Sequence, residues 1–138
     1  MLRPIVFAAF ALVLVGCSRQ KTIDADELRS DLSAAISLAS ETETFIDYVA
    51  QHRATGNYAT GQIAYLAETA RQDAKELHEA VPAPSIAEKF PVCRQQLDAL
   101  AYQLASLRFE LVRHPAGPAN TQQLIQLRRA LEQSRASL

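Results

Sequence analysis

The sequence has no tryptophan, only four glycines and six prolines, and no excess of charge of either sign. With so few chain-breaking residues, the alanine, leucine, glutamine, glutamate and arginine that dominate it favour long helices. The net charge of −1 argues against a nucleic-acid-binding protein, which usually carries a basic excess. Because 49% of the residues are hydrophobic, the chain can bury a core and is not disordered. Its 138 residues suit one domain and are too few for two.

Motifs for catalysis and for cofactor binding are also missing. The sequence contains no Gly-x-Ser-x-Gly nucleophile motif, no Cys-x-x-Cys-His for covalent haem, and none of the Glu-x-x-His pairs of di-iron bundles. We therefore expect a protein that is not an enzyme and that holds no metal and no bound cofactor.

The first residues have the three-part layout of a secretory signal. Arg3 precedes an unbroken apolar run, Ile5–Val15, which is followed by the small residue Gly16. As a helix this run is about 16 Å long, which is too short to cross a hydrocarbon core of about 30 Å. The pattern therefore indicates export and not a permanent membrane span.

The end of this segment, Leu14-Val15-Gly16-Cys17, resembles the lipobox of bacterial lipoproteins. The resemblance covers residues 1–17 only. It implies cleavage before Cys17, diacylglycerol on the Cys17 thiol, and usually a further acyl chain such as palmitate on the new amino terminus; such chains anchor a protein stably. Ser18 stands where an aspartate would, by the sorting rule of that family, retain the protein at the inner membrane. In a cell with two membranes, the resemblance favours the outer one, with the protein on the periplasmic side.

The chain thus divides into a cleaved signal peptide, 1–16, a lipidated tether, 17–23, and a helical domain, 24–138. The six-residue, mainly polar link 18–23 that follows the lipidated cysteine spans at most about 20 Å when extended. The domain is therefore expected to stay close to the bilayer. Arg19 and Lys21 either contact anionic head groups or are simply solvated.

Apolar residues of the domain recur at helical spacing in four segments, and no strand-like alternation is present. The clearest seam advances by alternate steps of four and three residues, as between helices that pack at shallow angles. Its members are Ile86, Phe90, Cys93, Leu97, Leu100, Leu104, Leu107 and Leu111. Similar seams run through 28–49, 63–81 and 124–131. Because the connections are short, we predict an all-α, up-down-up-down antiparallel four-helix bundle.

Helix ends are indicated by capping residues. Asp24 and Glu27 form a capping box at the start of the first helix, and Ser85 and Glu88 form another before the third. Pro91 lies in the early turns of the third segment, which predicts a kink or a short separate turn there.

Charge is distributed unevenly between the two ends of the domain. Residues 24–53 contain seven acidic side chains and two arginines, whereas residues 94–138 contain three acidic side chains and six arginines. In a closed bundle the first helix lies beside the fourth, so opposite charges meet. One interpretation is that the arginines pair with these acidic side chains or are solvated. The other is that they form a face for an anionic partner such as lipid or polysaccharide.

The remaining cysteine and the histidines have structural explanations. Cys93 lies on the seam, and since Cys17 becomes a thioether, Cys93 is either a buried inert thiol or part of an intermolecular disulfide. His52, His78 and His114 each fall in the last turn of a predicted helix, where a protonated ring is favoured by the helix dipole. Their placement at different ends of a bundle does not suit a metal site.

The most distinctive cluster is aromatic. Tyr48 and His52 are one helical turn apart, and Tyr58, Gln62 and Tyr65 lie along one side of the next helix. Antiparallel pairing brings them together at one end of the bundle. Such residues either bind a small ligand or partner, or lie at the boundary of the core with their polar groups in water.

Two functional hypotheses follow. The first is a membrane-anchored envelope lipoprotein that acts as a non-enzymatic interaction or accessory module, with the bilayer and an unidentified envelope protein as partners. The alternative is a bundle that binds a small molecule or lipid through Tyr48, His52, Tyr58 and Tyr65. A closed interior without a cavity near these tyrosines excludes the alternative.

Overall fold

A computed structural model describes residues 20–114 and 121–138 of the chain. The predicted signal peptide, the lipid site at Cys17 and the first part of the tether lie outside the described residues. Residues 115–120, in the connection before the last helix, lie outside them as well.

Four α-helices account for most of the described chain, which confirms the all-α class. They are α1 (Ala25–Ala50), α2 (Gly56–Glu79), α3 (Phe90–Arg113) and α4 (Gln122–Ala136). Two short strands, β1 (Thr22–Ile23) and β2 (Val81–Pro82), form a parallel pair, and a turn of 3₁₀ helix covers Pro84–Ile86. The helices pack around one core, with α2 mainly against α3 and α1 mainly against α4.

The start of α1 is capped as the sequence predicts. The Glu27 amide donates to Asp24 Oδ1 over 2.9 Å, and the Asp24 amide donates to Glu27 Oε2 over 3.4 Å. These two bonds satisfy amides that have no partner within the helix. At the start of α2, the Tyr58 amide donates to the Thr55 hydroxyl over 3.3 Å.

The start of α3 differs from the predicted capping box. Ser85 lies within the 3₁₀ turn, and no side chain caps either that turn or α3. The helix begins at Phe90 because Pro91, whose ring fixes φ and which lacks an amide hydrogen, is suited to the first helical turn. The Ser85–Glu88 box is therefore wrong, whereas the predicted short separate turn before Pro91 is confirmed.

The strand pair was not predicted, and it joins the tether to the connection between α2 and α3. The Val81 amide donates to the Lys21 carbonyl over 2.9 Å, and the Ala83 amide donates to the Ile23 carbonyl over 2.8 Å. Two residues per strand are too few to show a period of two in the sequence. Ile23 is nevertheless part of the core, with 1% of its surface exposed.

The predicted seam of the third segment is confirmed residue by residue, since all eight of its members are buried. Buried residues of α1 and α2 complete most of the core, and α4 adds Leu124 and Leu131, which are fully buried. Burial of a leucine side chain contributes roughly 1.5–3 kcal/mol, so the seams supply most of the stabilising free energy.

The expected meeting of the acidic first helix with the arginine-rich last helix is observed at one partly buried cluster. Arg128 Nε of α4 lies 2.6 Å from Glu43 Oε1 of α1, and Arg128 Nη1 lies 2.8 Å from Glu132 Oε1. The two acidic side chains together raise the pKa of the Arg128 guanidinium, mainly through the hydrogen bond that Arg128 donates to Glu43.

Among the helices of residues 20–114 and 121–138, none combines the length and the apolar character that a bilayer span requires.

Candidate functional site

The tether is held against the bundle at the edge where α2 leads into α3. Because the Lys21 carbonyl accepts a hydrogen bond from Val81, the backbone is held from Lys21 onward. Lys21 Nζ also lies 3.4 Å from Glu27 Oε1, a solvent-exposed pair. The described chain is therefore fixed to the bundle from Lys21 onward, four residues after Cys17 in the sequence.

A cleft of about 610 Å³ lies beside this point. It is lined by Gln20, Lys21, Ile23, Asp31, Glu76, His78, Glu79 and Ala80. Burial raises the pKa of Asp31, against the opposing effect of the Lys21 charge, and Glu27 and Glu76 add to the rise. Burial also raises the pKa of Asp73 on the facing helix, with Glu76 and Asp31 adding to it. The cleft is thus polar and rich in carboxylates.

A second, apolar groove lies between α1 and α2 beside the predicted tyrosines. It has a volume of about 480 Å³ and is lined by Ser40, Glu41, Thr44, Phe45, Tyr48, Tyr58 and Gln62. The rings of Phe45 and Tyr58 meet edge to face, with centroids 6.2 Å apart. Gln62 Nε2 donates to Glu41 Oε1 over 3.4 Å and joins the two walls.

His52 and Tyr65 do not join the tyrosines of this groove. Helix α1 ends at Ala50, so His52 lies beyond its last turn, with a left-handed backbone (φ 54°). The expectation that His52 lies in the last helical turn is therefore wrong. Its side chain lines a different, mainly apolar pocket of about 360 Å³, together with Thr60 and Val112. Tyr65 is 64% exposed on the outer surface of α2. Of the predicted cluster, the structure thus brings together Tyr48, Tyr58 and Gln62, and leaves out His52 and Tyr65.

Of the other two histidines, only His78 lies in the last turn of a helix, and the same expectation is wrong for His114. His78 is in the last turn of α2, and its Nε2 lies 2.8 Å from Asp98 Oδ2 of α3. His114 follows the last residue of α3. Within the part of the chain that the structure describes, no group of three or more His, Cys, Asp or Glu side chains is placed to hold a metal ion.

Cys93 is buried, with 1% of its surface exposed. Burial raises the pKa of its thiol, which disfavours the reactive thiolate. This supports the interpretation of Cys93 as a buried inert thiol.

An exposed apolar surface on α3 was missed by the sequence analysis. Tyr102, Phe109 and Val112 are 75%, 70% and 57% exposed. With the half-buried Ala105 they follow steps of three, four and three residues along one side of the helix. We call these four residues the α3 stripe. The spacing of the α3 stripe is visible in the sequence. The buried leucine seam on the same helix has the same periodicity, so spacing alone does not show which of the two is exposed.

No family model, curated protein or solved structure matches this chain. The described residues define its class by fold alone, as an all-α helical bundle protein. The features available for function are the held tether, the tyrosine groove and the α3 stripe.

Proposed function

We propose that this protein is a membrane-anchored lipoprotein of the bacterial envelope that acts through contacts with other molecules and not through catalysis. The observation that carries the proposal is the strand pair, because it holds the chain to the bundle only four residues after the lipobox cysteine. A lipid on Cys17 then keeps the whole bundle beside a membrane. Ser18 favours the outer membrane in a cell with two.

We further propose that the helices run up-down-up-down. Residues later in α1 contact residues earlier in α4, because Ser33 contacts Arg135 whereas Glu43 contacts Arg128. Between α3 and α4 the order is also reversed, because Lys89 donates to the Ser137 carbonyl whereas Gln96, further along, contacts Ala130. These pairs support antiparallel packing of α4 with both neighbours.

The strands and the tyrosine groove support the same arrangement for α1 and α2. Strand β1 directly precedes α1 and strand β2 directly follows α2, so their pairing joins the beginning of one helix to the end of the other. At the opposite end, Phe45 near the end of α1 meets Tyr58 near the start of α2.

The anchor is tested by labelling the full chain with radioactive palmitate in an envelope-forming bacterium. The two cysteines provide matched variants, Cys17→Ser and Cys93→Ser. We expect label in the wild type and in Cys93→Ser, and none in Cys17→Ser. Label retained by Cys17→Ser would show that the acyl site is assigned to the wrong residue.

The interaction role is tested by crosslinking in intact membranes followed by purification of the tagged protein. We expect an envelope protein to be recovered specifically. Recovery of nothing above the background of an untagged strain contradicts a protein partner for this module.

A second candidate function, ligand binding, is favoured by the groove at Tyr48 and Tyr58. Its volume of about 480 Å³ lies within the range of small-molecule sites. An environment-sensitive apolar dye is a suitable probe. We expect Tyr58→Ser to lower dye binding, whereas Tyr65→Ser, an exposed control outside the groove, leaves it unchanged. Equal binding by both variants contradicts a site in this groove.

A further inference from the structure

The α3 stripe is an unusual surface for an exposed helix because its largest residues are aromatic. Tyr102, Ala105, Phe109 and Val112 repeat at the spacing of a packing seam, yet α3 already buries a complete leucine seam on its other side. No described helix covers the stripe. Apolar surface of this kind, when contiguous, indicates a contact with another molecule or with a membrane.

The stripe lies on the flank of α3 next to α2. Asp98 continues its spacing one turn before Tyr102, and Asp98 bonds to His78 of α2. At the far end, Val112 lines a pocket together with Thr60 of α2. Both ends of the stripe therefore border α2.

The tether is held at the end of the bundle where α2 leads into α3. Strand β1 pairs with β2, which lies in the connection from α2 to α3, and the backbone is held at Lys21. From Lys21 to Cys17 the chain spans at most about 14 Å. In an upright bundle, Phe109 would lie about 28 Å beyond the start of α3, at a rise of 1.5 Å per residue. A bundle lying on its α2–α3 edge places the stripe beside the anchor membrane.

Two arginines flank the stripe on opposite sides. Arg108 and Arg113 are exposed, and neither takes part in an ion pair among the described residues. Glu68 of α2 forms its ion pair with Arg71, whose hydrogen bond lowers the pKa of Glu68, and the charge of Arg108 adds to that shift without forming an ion pair. Aromatic rings between arginines match the interface of an anionic bilayer, where rings lie at head-group level and cations meet phosphates.

The same arginines oppose pairing of the stripe with a second copy of this chain. In a parallel pair of α3 helices joined through the stripe, Arg108 of one copy faces Arg113 of the other. In an antiparallel pair centred on the stripe, the two Arg108 side chains approach each other. Like charges therefore meet in either arrangement, whereas a lipid surface supplies opposite charge.

We propose that the α3 stripe lies against the anionic surface of the membrane that holds the lipid anchor, so that the bundle lies along the bilayer. This inference rests on the proposed lipid on Cys17. The tethered domain then has two attachments, one covalent and one formed by the stripe, and it presents its α1–α4 side to the periplasm.

The absence of tryptophan allows a direct test. The lipidated full-length protein is reconstituted into vesicles of phosphatidylethanolamine and phosphatidylglycerol, as the Phe109→Trp variant or the Tyr65→Trp variant. These positions have similar exposure, but Tyr65 lies on the outer surface of α2, two turns after Tyr58, whose ring meets Phe45 of α1. Tryptophan emission is then measured with and without brominated lipids, which quench rings that lie within the bilayer interface.

We expect at least about twofold quenching and a blue shift for Phe109→Trp, because interfacial helices bury their apolar face in the head-group boundary. Tyr65→Trp should show neither. Adding Arg108→Glu and Arg113→Glu to Phe109→Trp should reduce the quenching several-fold, and unchanged quenching contradicts the role of charge. Circular dichroism checks that each variant retains its helices.

The outcomes separate this inference from the anchor itself. Flotation of the vesicles and the intact mass of the protein report whether Cys17 carries lipid, and a protein that is unlipidated overturns the proposed function. A lipidated protein that floats but shows no quenching of Phe109→Trp overturns the stripe proposal alone. A blue shift without quenching by brominated lipid also overturns it, because protein and not lipid then covers the stripe.

Discussion

Replacing Ile23 by alanine tests whether the tether is held by burial of this side chain. Ile23 has 1% of its surface exposed, although it belongs to a strand of only two residues. The substitution removes three carbon groups, worth about 2.4 kcal/mol at roughly 0.8 kcal/mol each. Buried isoleucine-to-alanine changes cost about 2–5 kcal/mol, and neighbours near a chain end can close over part of the cavity. We therefore expect a loss of about 2–3 kcal/mol in the free energy of unfolding.

Urea unfolding followed by circular dichroism measures this loss. With a denaturant slope of about 1–3 kcal/mol per molar, the midpoint should fall by about 0.7–3 M. Thr22→Ala, in the same strand but exposed, is the matched control and should leave the midpoint unchanged. Amide exchange at Val81 and Ala83, whose hydrogen bonds go to the tether, should accelerate in Ile23→Ala alone. If both variants unfold at the same urea concentration and exchange alike, Ile23 does not hold the tether and the reasoning is refuted.

Three further predictions concern the bundle itself. Burial raises the pKa of Asp73 above its ordinary value of 3.8. Between 3.8 and the raised pKa, the folded state binds more protons than the unfolded state. The free energy of unfolding therefore falls as the pH rises through this window. Asp73→Asn should therefore stabilise the protein at pH 7, and the exposed control Asp47→Asn should not; equal thermal midpoints for the two would contradict this. Arg128→Ala should lower the free energy of unfolding by about 1–2 kcal/mol, because Glu43 is left partly buried without its partner. A double-mutant cycle with Glu43→Ala should show that the two substitutions are coupled. Strictly additive effects would argue against the pair. The Cys93 thiol should react with a thiol reagent only after unfolding, because it is buried and its pKa is raised, and rapid labelling of the native protein would disprove its burial.

The helices were predictable because each buries a continuous stripe of side chains. Every member of the seam from Ile86 to Leu111 is buried, and the Asp24 capping box forms as expected. The capping box predicted at Ser85 and Glu88 does not form, because Pro91 favours a helix start at Phe90, after both residues. A local rule that acts on one turn can be overruled by the next residue, whereas a periodic pattern is overruled mainly at its ends. The predicted seam 63–81 is wrong at Val81, which is 39% exposed and belongs to β2, because α2 ends at Glu79.

The candidate sites were less predictable, since they depend on where chains leave the helices. Helical spacing placed Tyr48 near Tyr58, and the groove between them confirms that proximity. His52 was misplaced because α1 ends before it and the backbone turns into a left-handed conformation. A single change of backbone angle outside the helix changes the direction of a side chain, and the spacing of apolar residues in the sequence does not predict such a change.

From the sequence alone, the number of helices and most of their inward faces could be read, because each helical pattern repeats over many residues. Only the tertiary structure decided which outward residues stay uncovered and where the tether is held. Tyr102 and Phe109 have the same apolar character as core residues, and their exposure depends on whether another helix lies against them. The pairing of Lys21 and Val81 joins residues 60 positions apart, and such a contact exists only once the helices between them have packed.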